Sequence, residues 1–277
     1  MEKLKILIPT DFSVQAEFAY HMTRKLEEKI PVEMHFLHVM DVPDTVTLSE
    51  KGEIKTCGEI DIDYVKRGKE IAKRKLEELK TSFGNDIKTR FSFGKVTDGI
   101  LNFAESDKFD LIVMGTKGAW GIKEKLSGSE TQIIARKSKI PVLSIMCDRS
   151  DLKIQNILLV HNFNNPVKED LQLVHKLIRA FNTKLHLLQI SQGKVDTEES
   201  MIEENMRTFA LLNNLENYEC HVINDADVEN GVVHFNQMNN MDIVCIGTHG
   251  RGGIFHQSAT EKLINHLFKP IISFHLN

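Results

Sequence analysis

Cysteine is scarce in this chain. Its four residues, Cys57, Cys147, Cys220 and Cys245, form no CxxC pair, which argues against a disulfide framework or a regular zinc-ribbon spacing. The chain start lacks the charged, apolar and small-residue order of a signal peptide, so the expectation is a cytoplasmic protein with reduced thiols. Long apolar runs are missing as well. None approaches the roughly 18 to 20 residues of a membrane-spanning helix, and no membrane partner is expected. Nor is there an excess of positive charge: 35 Lys and Arg stand against 39 Asp and Glu, for a net charge of -4, which disfavours a general electrostatic hold on nucleic acid. What is present is ordinary for a globular chain. Hydrophobic residues make up 41% and charged residues 27% of 277 positions, enough for a core and long enough for two domains.

An internal repeat organises the rest. "KILIPTDFS" near the start reads against "NILLVHNFN" at 156–164, and "MHFLHVM" at 34–40 against "LHLLQIS" at 185–191. "FDLIVMGTKG" at 109–118 matches "MDIVCIGTHG" at 241–250, and "SETQIIARKSKIPVLSI" at 129–145 matches "SATEKLINHLFKPIISF" at 258–274. Four matches in one order describe two copies of a domain, 1–147 and 153–277, divided near "CDRSDLK". Each copy alternates short Ile/Val/Leu runs with amphipathic stretches. In the first, strands are expected at about 4–9, 32–39, 87–93, 110–115 and 141–146, with helices at about 13–29, 60–82, 96–106 and 129–138. Near-continuous apolar strands separated by helices imply a parallel sheet covered on both faces. The expected fold is therefore α/β, with two tandem doubly wound five-stranded domains. Ligands of such sheets sit beyond the strand carboxyl ends, where the strand order reverses. "PTDFS" and "GTKG" both fall at such ends, and they share a crevice if strands one and four are neighbours.

The stretch "MGTKGAWGIKEKLSGSET", 114–131, carries the chemistry. Gly115 and Gly118 follow a strand, nine residues intervene, and Gly128-Ser129 opens a helix. Glycines let a ligand approach backbone N–H groups, and a helix N-terminus offers unpaired donors with partial positive charge. These are the requirements of a phosphate site, although the pattern is neither a Walker A loop nor GxGxxG. With an aspartate after the first strand, GxxGx9G[ST] resembles the ATP-binding branch of the universal stress protein family. The match covers nearly the whole chain as a tandem pair.

That resemblance implies a Rossmann-like fold of the adenine nucleotide alpha hydrolase type and an ATP molecule across strands one and four, with Mg2+ as an accompanying ion. Pro9, Thr10 and Asp11 would border it, Asp11 reaching the ribose or the metal. Val39 would meet the adenine and Met114 the base or sugar. Gly115, Thr116, Gly118, Gly128, Ser129, Glu130 and Thr131 would form the phosphate end. The resemblance further implies association through the last strand of each copy, hence an internal pseudo-dimer, and is compatible with a further homodimer. Each residue also has a plainer reading. Asp11 or Ser13 can cap the first helix, Ser129 and Gln132 form an S-x-x-Q capping box, and Val39 and Met114 suit a core. Glu130, a carboxylate in a first turn, is expected to point away from a phosphate.

The second copy is altered at the same points. Gly247 and Gly250 remain, but the loop is three residues shorter, Gln257 stands for Gly128, and Asn162 stands for Asp11. Ser258 and Glu261 keep a capping box. No ATP is expected there. A zinc reading of His161, His249, His256 and Cys245 finds no recognised spacing, and Arg251 better suits an anion. Elsewhere, 64–84 reads as a solvated amphipathic helix with Ile71, Leu76 and Leu79 as its core stripe. The segment 42–61 reads as a long, mobile connection placed like a lid. No general base or covalent nucleophile stands near the glycine loop, so slow hydrolysis or self-phosphorylation is the most these residues suggest. An adaptor that binds a protein or lipid-like ligand is the alternative from another class; an FAD-carrying redox protein lacks a place for the flavin ring.

Overall fold

The computed structural model describes residues 2–42, 46–48, 54–56, 62–84, 86–116, 130–192, 199–249 and 253–275. The first half runs β1 (Leu4–Pro9), α1 (Val14–Glu27), β2 (Val32–Met40), β3 (Val46–Leu48), β4 (Ile54–Thr56), α2 (Ile62–Phe83), β5 (Lys88–Phe93), α3 (Val96–Ser106), β6 (Leu111–Gly115), α4 (Glu130–Lys137) and β7 (Val142–Ile145). The second runs β8 (Asn156–Val160), α5 (Gln172–Phe181), β9 (Lys184–Ser191), α6 (Glu199–Leu212), β10 (Tyr218–Asn224), α7 (Val228–Asn239), β11 (Ile243–His249), α8 (Gly253–His266) and β12 (Ile271–His275). Ten strands form one sheet in the order β10-β9-β8-β11-β12-β7-β6-β1-β2-β5.

Each half contributes five mutually parallel strands, and the two sets meet where β7 and β12 pair antiparallel, with Leu143 opposite Ile272. The terminal strands of the repeats thus close each other's edges at the centre of the sheet, where an unpaired edge would invite aggregation. Both faces are covered because alternate strand residues point to opposite sides. Ile6 and Ile8 of β1 join Ala19, Met22 and Leu26 of α1 and Leu76 of α2 in one cluster. Leu7 joins Ile100 and Ala104 of α3 and Ile134 of α4 in the other. Every one of these side chains is almost fully buried.

Two local readings are corrected. The stripe that α2 turns inward is Val65, Ala72 and Leu76, with Leu79 partly buried beside them, while Ile71 lies 47% exposed. Steps of three, four and seven residues keep one helix face, and Ile71 falls outside that series. The segment 42–61 is more than a connection, since β3 and β4 form a small antiparallel pair within it. Its remaining residues from 43 onward lie outside the described ones, and so does the lid reading. No described helix is long and apolar enough to cross a membrane.

Candidate functional site

β1 lies between β6 and β2, with Ile6 opposite Leu111 on one side and Met34 on the other. The chain leaves β1 to build β2 and β5 outward, then returns to build β6 and β7 on the opposite flank. The strand order therefore reverses between β1 and β6, the place where doubly wound sheets open a crevice. Pro9, Thr10 and Asp11 leave one wall of it, and Met114, Gly115 and Thr116 the other.

The turn after β1 is tightly built. Thr10 N–H donates to the Leu37 carbonyl at 2.9 Å, and the Thr10 hydroxyl accepts from Phe12 N–H at 3.0 Å. Phe12 takes a left-handed φ of 65°. Asp11 accepts from Ser13 N–H at 3.0 Å, and Ser13, not Asp11, is the N-cap of α1. One carboxylate oxygen of this exposed residue thus holds the turn. His38, which the sequence reading passed over, bonds the Thr10 carbonyl through Nδ1 at 2.8 Å and packs its ring 4.6 Å from Phe12. A carbonyl only accepts, so Nδ1 carries a proton.

Across the crevice, Gly115 has a reason to be glycine that owes nothing to a ligand. A Cβ there would lie 2.0 Å from the Gln15 carbonyl oxygen and 2.3 Å from its carbon, so the first turn of α1 rests directly on this strand end. The Thr131 hydroxyl donates to the Gly115 carbonyl at 3.1 Å, which fastens α4 to β6 and commits the one hydroxyl proton. Thr116 bonds Ile145 through its N–H at 2.8 Å, while its buried Oγ1 has no partner among the described residues. An orphaned buried hydroxyl is costly and marks a place for a polar group. Val39 and Met114 are both buried, within the cluster beneath α3 and α4. Gly99 of α3 lies against Val39, since a Cβ would come 2.9 Å from its Cγ1.

Glu130 is exposed at the start of α4; loss of hydration raises its pKa first, and the negative charges of Asp11 and Asp41 raise it further. Asp41 was also missed from sequence; its signal is its place just past β2. Gly118, Gly128 and Ser129 lie outside the described residues. The capping pair that Gln132 would make with Ser129 therefore lies partly outside them too. Gln132 Nε2 donates to the Glu261 carbonyl at 2.7 Å, and Arg136 pairs with the Glu261 carboxylate at 3.2 Å. Both residues tie α4 to α8.

The family model described as "Universal stress protein family" matches residues 4–145, a little over half of the chain. The chain belongs to the universal stress protein family. Universal stress protein MJ0577 of Methanocaldococcus jannaschii is 32% identical over 151 residues, covering 51% of this chain and 93% of that protein. Universal stress protein MJ0531 of the same organism is also 32% identical, over 142 residues, covering 51% of this chain and 81% of its own length. Over the whole chain, a universal stress protein from Archaeoglobus fulgidus has the same fold, with a TM-score of 0.73, 20% identity, and 99% and 96% of the two chains covered.

The second half of this universal stress protein keeps the turn and rebuilds its surroundings. Asn162 accepts from Asn164 N–H at 3.1 Å, as Asp11 does from Ser13, so the geometry survives without the charge. His161 N–H bonds the Leu188 carbonyl at 3.2 Å, matching Thr10. Phe163, however, is fully buried against Phe209 and His161, with ring centroids 5.1 and 5.2 Å away. The helix that follows starts only at Gln172, so a longer stretch, 161–171, separates β8 from its helix than in the first half. Buried Glu169 comes within 4.0 Å of His161. Cys245 is fully buried in β11, which pushes its thiol up to about 12. A thiol that resists ionisation is a poor metal ligand. Arg251 lies outside the described residues.

Proposed function

We propose that this protein is a nucleotide-dependent regulator of the stress response that binds ATP in its first unit, residues 1–147, and not in its second, 153–277. The observation that carries this reading is the convergence of the β1 turn and the β6 end on one switch-point crevice, with the GxxGx9GS sequence of Gly115, Gly118, Gly128 and Ser129 starting at its rim. The Thr116 hydroxyl, without a partner among the described residues, adds a donor there. Thr131 serves by holding α4 in place, so the remaining phosphate donors are backbone N–H groups and Ser129. The free oxygen of Asp11 suits a ribose hydroxyl or Mg2+. Asp11, Asp41 and Glu130 oppose a bare polyphosphate, and Mg2+ would offset that repulsion when bound with the nucleotide.

In the second unit, the exchange of Asp11 for Asn162 and of Gly128 for Gln257 goes with the buried Phe163, and both disfavour a phosphate ligand. The deciding experiment is to denature freshly purified protein, identify any released nucleotide by mass spectrometry, and titrate stripped protein with ATP and Mg2+ by calorimetry. About one adenine nucleotide per chain, lost in Gly128→Gln, is the expected result. No released nucleotide and no binding heat would leave the adaptor reading in its place.

A further inference from the structure

At the opposite end of the second-half strands from the crevice, three ligand-type side chains meet on one face of β9 and β10. His186 stands opposite Glu219, and His221 follows two residues along β10 on the same face. His186 Nδ1 lies 3.0 Å from His221 Nε2 and 3.6 Å from Glu219 Oε2, and the last two are 3.9 Å apart. A tetrahedral zinc ion with bonds of about 2.0–2.1 Å sets its donors about 3.4 Å apart. The circle through the three atoms has a radius of about 2 Å, which matches such a bond.

The second partners complete the donor set. His186 Nε2 lies 3.3 Å from Asn156 Oδ1, so Nε2 carries the proton and Nδ1 presents its lone pair to the group. A ligating histidine is commonly fixed by such an outer carbonyl. Glu219 gives its other oxygen, Oε1, to Lys184, which leaves Oε2 turned toward the imidazoles. His186 is buried, His221 is half-buried with its ring 4.8 Å from Phe235 of α7, and Glu219 is exposed. Loss of hydration lowers both histidine pKa values, and at His186 the nearby His221 lowers it further.

The repeat provides an internal comparison. Register and sequence match Asn156, Lys184, His186, Glu219 and His221 with Lys5, Glu33, His35, Lys88 and Arg90. The charge of the cross-strand pair is reversed, from Glu33–Lys88 to Lys184–Glu219. A simple reversal accounts for those two positions only. It does not account for the loss of Lys5 and Arg90, whose replacements are a carbonyl acceptor and a second imidazole. At the positions of Lys5, Lys88 and Arg90 the second half has an orienting amide and two further metal donors, and a lysine, Lys184, stands in place of Glu33.

We infer that His186, His221 and Glu219 form a site for one divalent ion of the zinc class. Two imidazoles and a carboxylate suit Zn2+, with a fourth position open to water beside exposed Glu219. On binding, the His221 proton moves from Nε2 to Nδ1, and β10, the edge strand, is tied to β9.

The test uses the full chain, stripped of metal with a chelator and free of nucleotide, titrated with Zn2+ against a chromophoric competitor. One saturable Zn2+ per chain is expected, weakened at least about 100-fold in Glu219→Gln and in His221→Leu. Asn156→Ala is expected to cost 10- to 100-fold, the usual range for an outer partner. Co2+ bound in place of Zn2+ should show the visible absorption of a four-coordinate ion, absent in the two ligand variants. Glu219 is exposed, so its glutamine variant keeps the fold, which circular dichroism checks. Absence of saturable binding, or binding unchanged in Glu219→Gln and His221→Leu, would overturn the inference and leave the cluster as a cross-strand ion pair. ATP titration of the same variants separates this outcome from any failure of the nucleotide reading.

Discussion

Gly115→Ala is expected to loosen the N-terminal turn of α1. The added carbon would meet the Gln15 carbonyl oxygen at 2.0 Å and its carbon at 2.3 Å. Both atoms are backbone, so relief requires the helix start itself to move. Overpacking of this kind costs about 1–3 kcal/mol. Moving the first turn also disturbs the Ser13 cap, whose hydroxyl accepts from Ala16 N–H at 3.4 Å, and a lost cap adds about 1 kcal/mol. The expected loss is about 3 kcal/mol, large beside the 5–15 kcal/mol by which domains are stable. Gly68→Ala is the control. A Cβ there would approach the Met40 Cε at 2.4 Å, but that methyl ends a flexible side chain, and alanine favours a helix interior by about 0.5–1 kcal/mol. Urea unfolding of both variants by circular dichroism, with hydrogen exchange of the α1 amides, reads the difference. If Gly115→Ala costs under about 1 kcal/mol, or no more than Gly68→Ala, the close packing of α1 on β6 is not what requires glycine.

Other outcomes follow from the same contacts. Hydrogen bonds from Lys88 and His35 hold Glu33 down at about 2, from an ordinary 4.5. Its stabilisation is complete above the unfolded pKa and is lost as pH falls through the folded one, so Glu33→Gln should be less stable than wild type at pH 6, with the gap closing toward pH 2. Lys88 is 59% exposed, and solvent screening reduces the effect to about 1 kcal/mol. Glu130→Gln removes a carboxylate whose ionisation is already opposed and should tighten ATP binding about two- to tenfold by calorimetry, more at low salt. Trp120 is the one tryptophan, sited between Gly118 and Gly128. Its fluorescence should change with Mg2+ and ATP in wild type and stay flat in Gly128→Gln.

The architecture was legible because its signals are local and repeated. Apolar runs such as "KILIP" and "LIVMG" read directly as buried strands, and four ordered matches reveal the tandem. The crevice was legible in position, since "PTDFS" and "GTKG" end adjacent strands. The roles of single residues were less so. Gly115 looks like a phosphate glycine, yet its contact with Gln15 joins elements about a hundred residues apart. Thr131 looks like a phosphate hydroxyl until its bond to Gly115 is seen. A helix first turn welcomes the Glu130 carboxylate on any side, and the influence of Asp11 and Asp41 on it comes only with tertiary placement. The His186–His221 cluster was invisible for the same reason: its members lie 35 residues apart and meet through strand register, with no spacing rule to announce them.

The antiparallel pairing of β7 with β12 has a consequence for how such a molecule changes over time. Two separate chains joined by that pairing would dissociate on dilution and would carry the same substitution at both sites. In one chain the two partners meet at a fixed, high effective concentration, whatever the protein level in the cell. Their ratio is always one to one, so a half that abandons its ancestral ligand never competes for the half that keeps it. Covalent linkage removes the symmetry that a homodimer imposes, and each half is then free to acquire chemistry of its own.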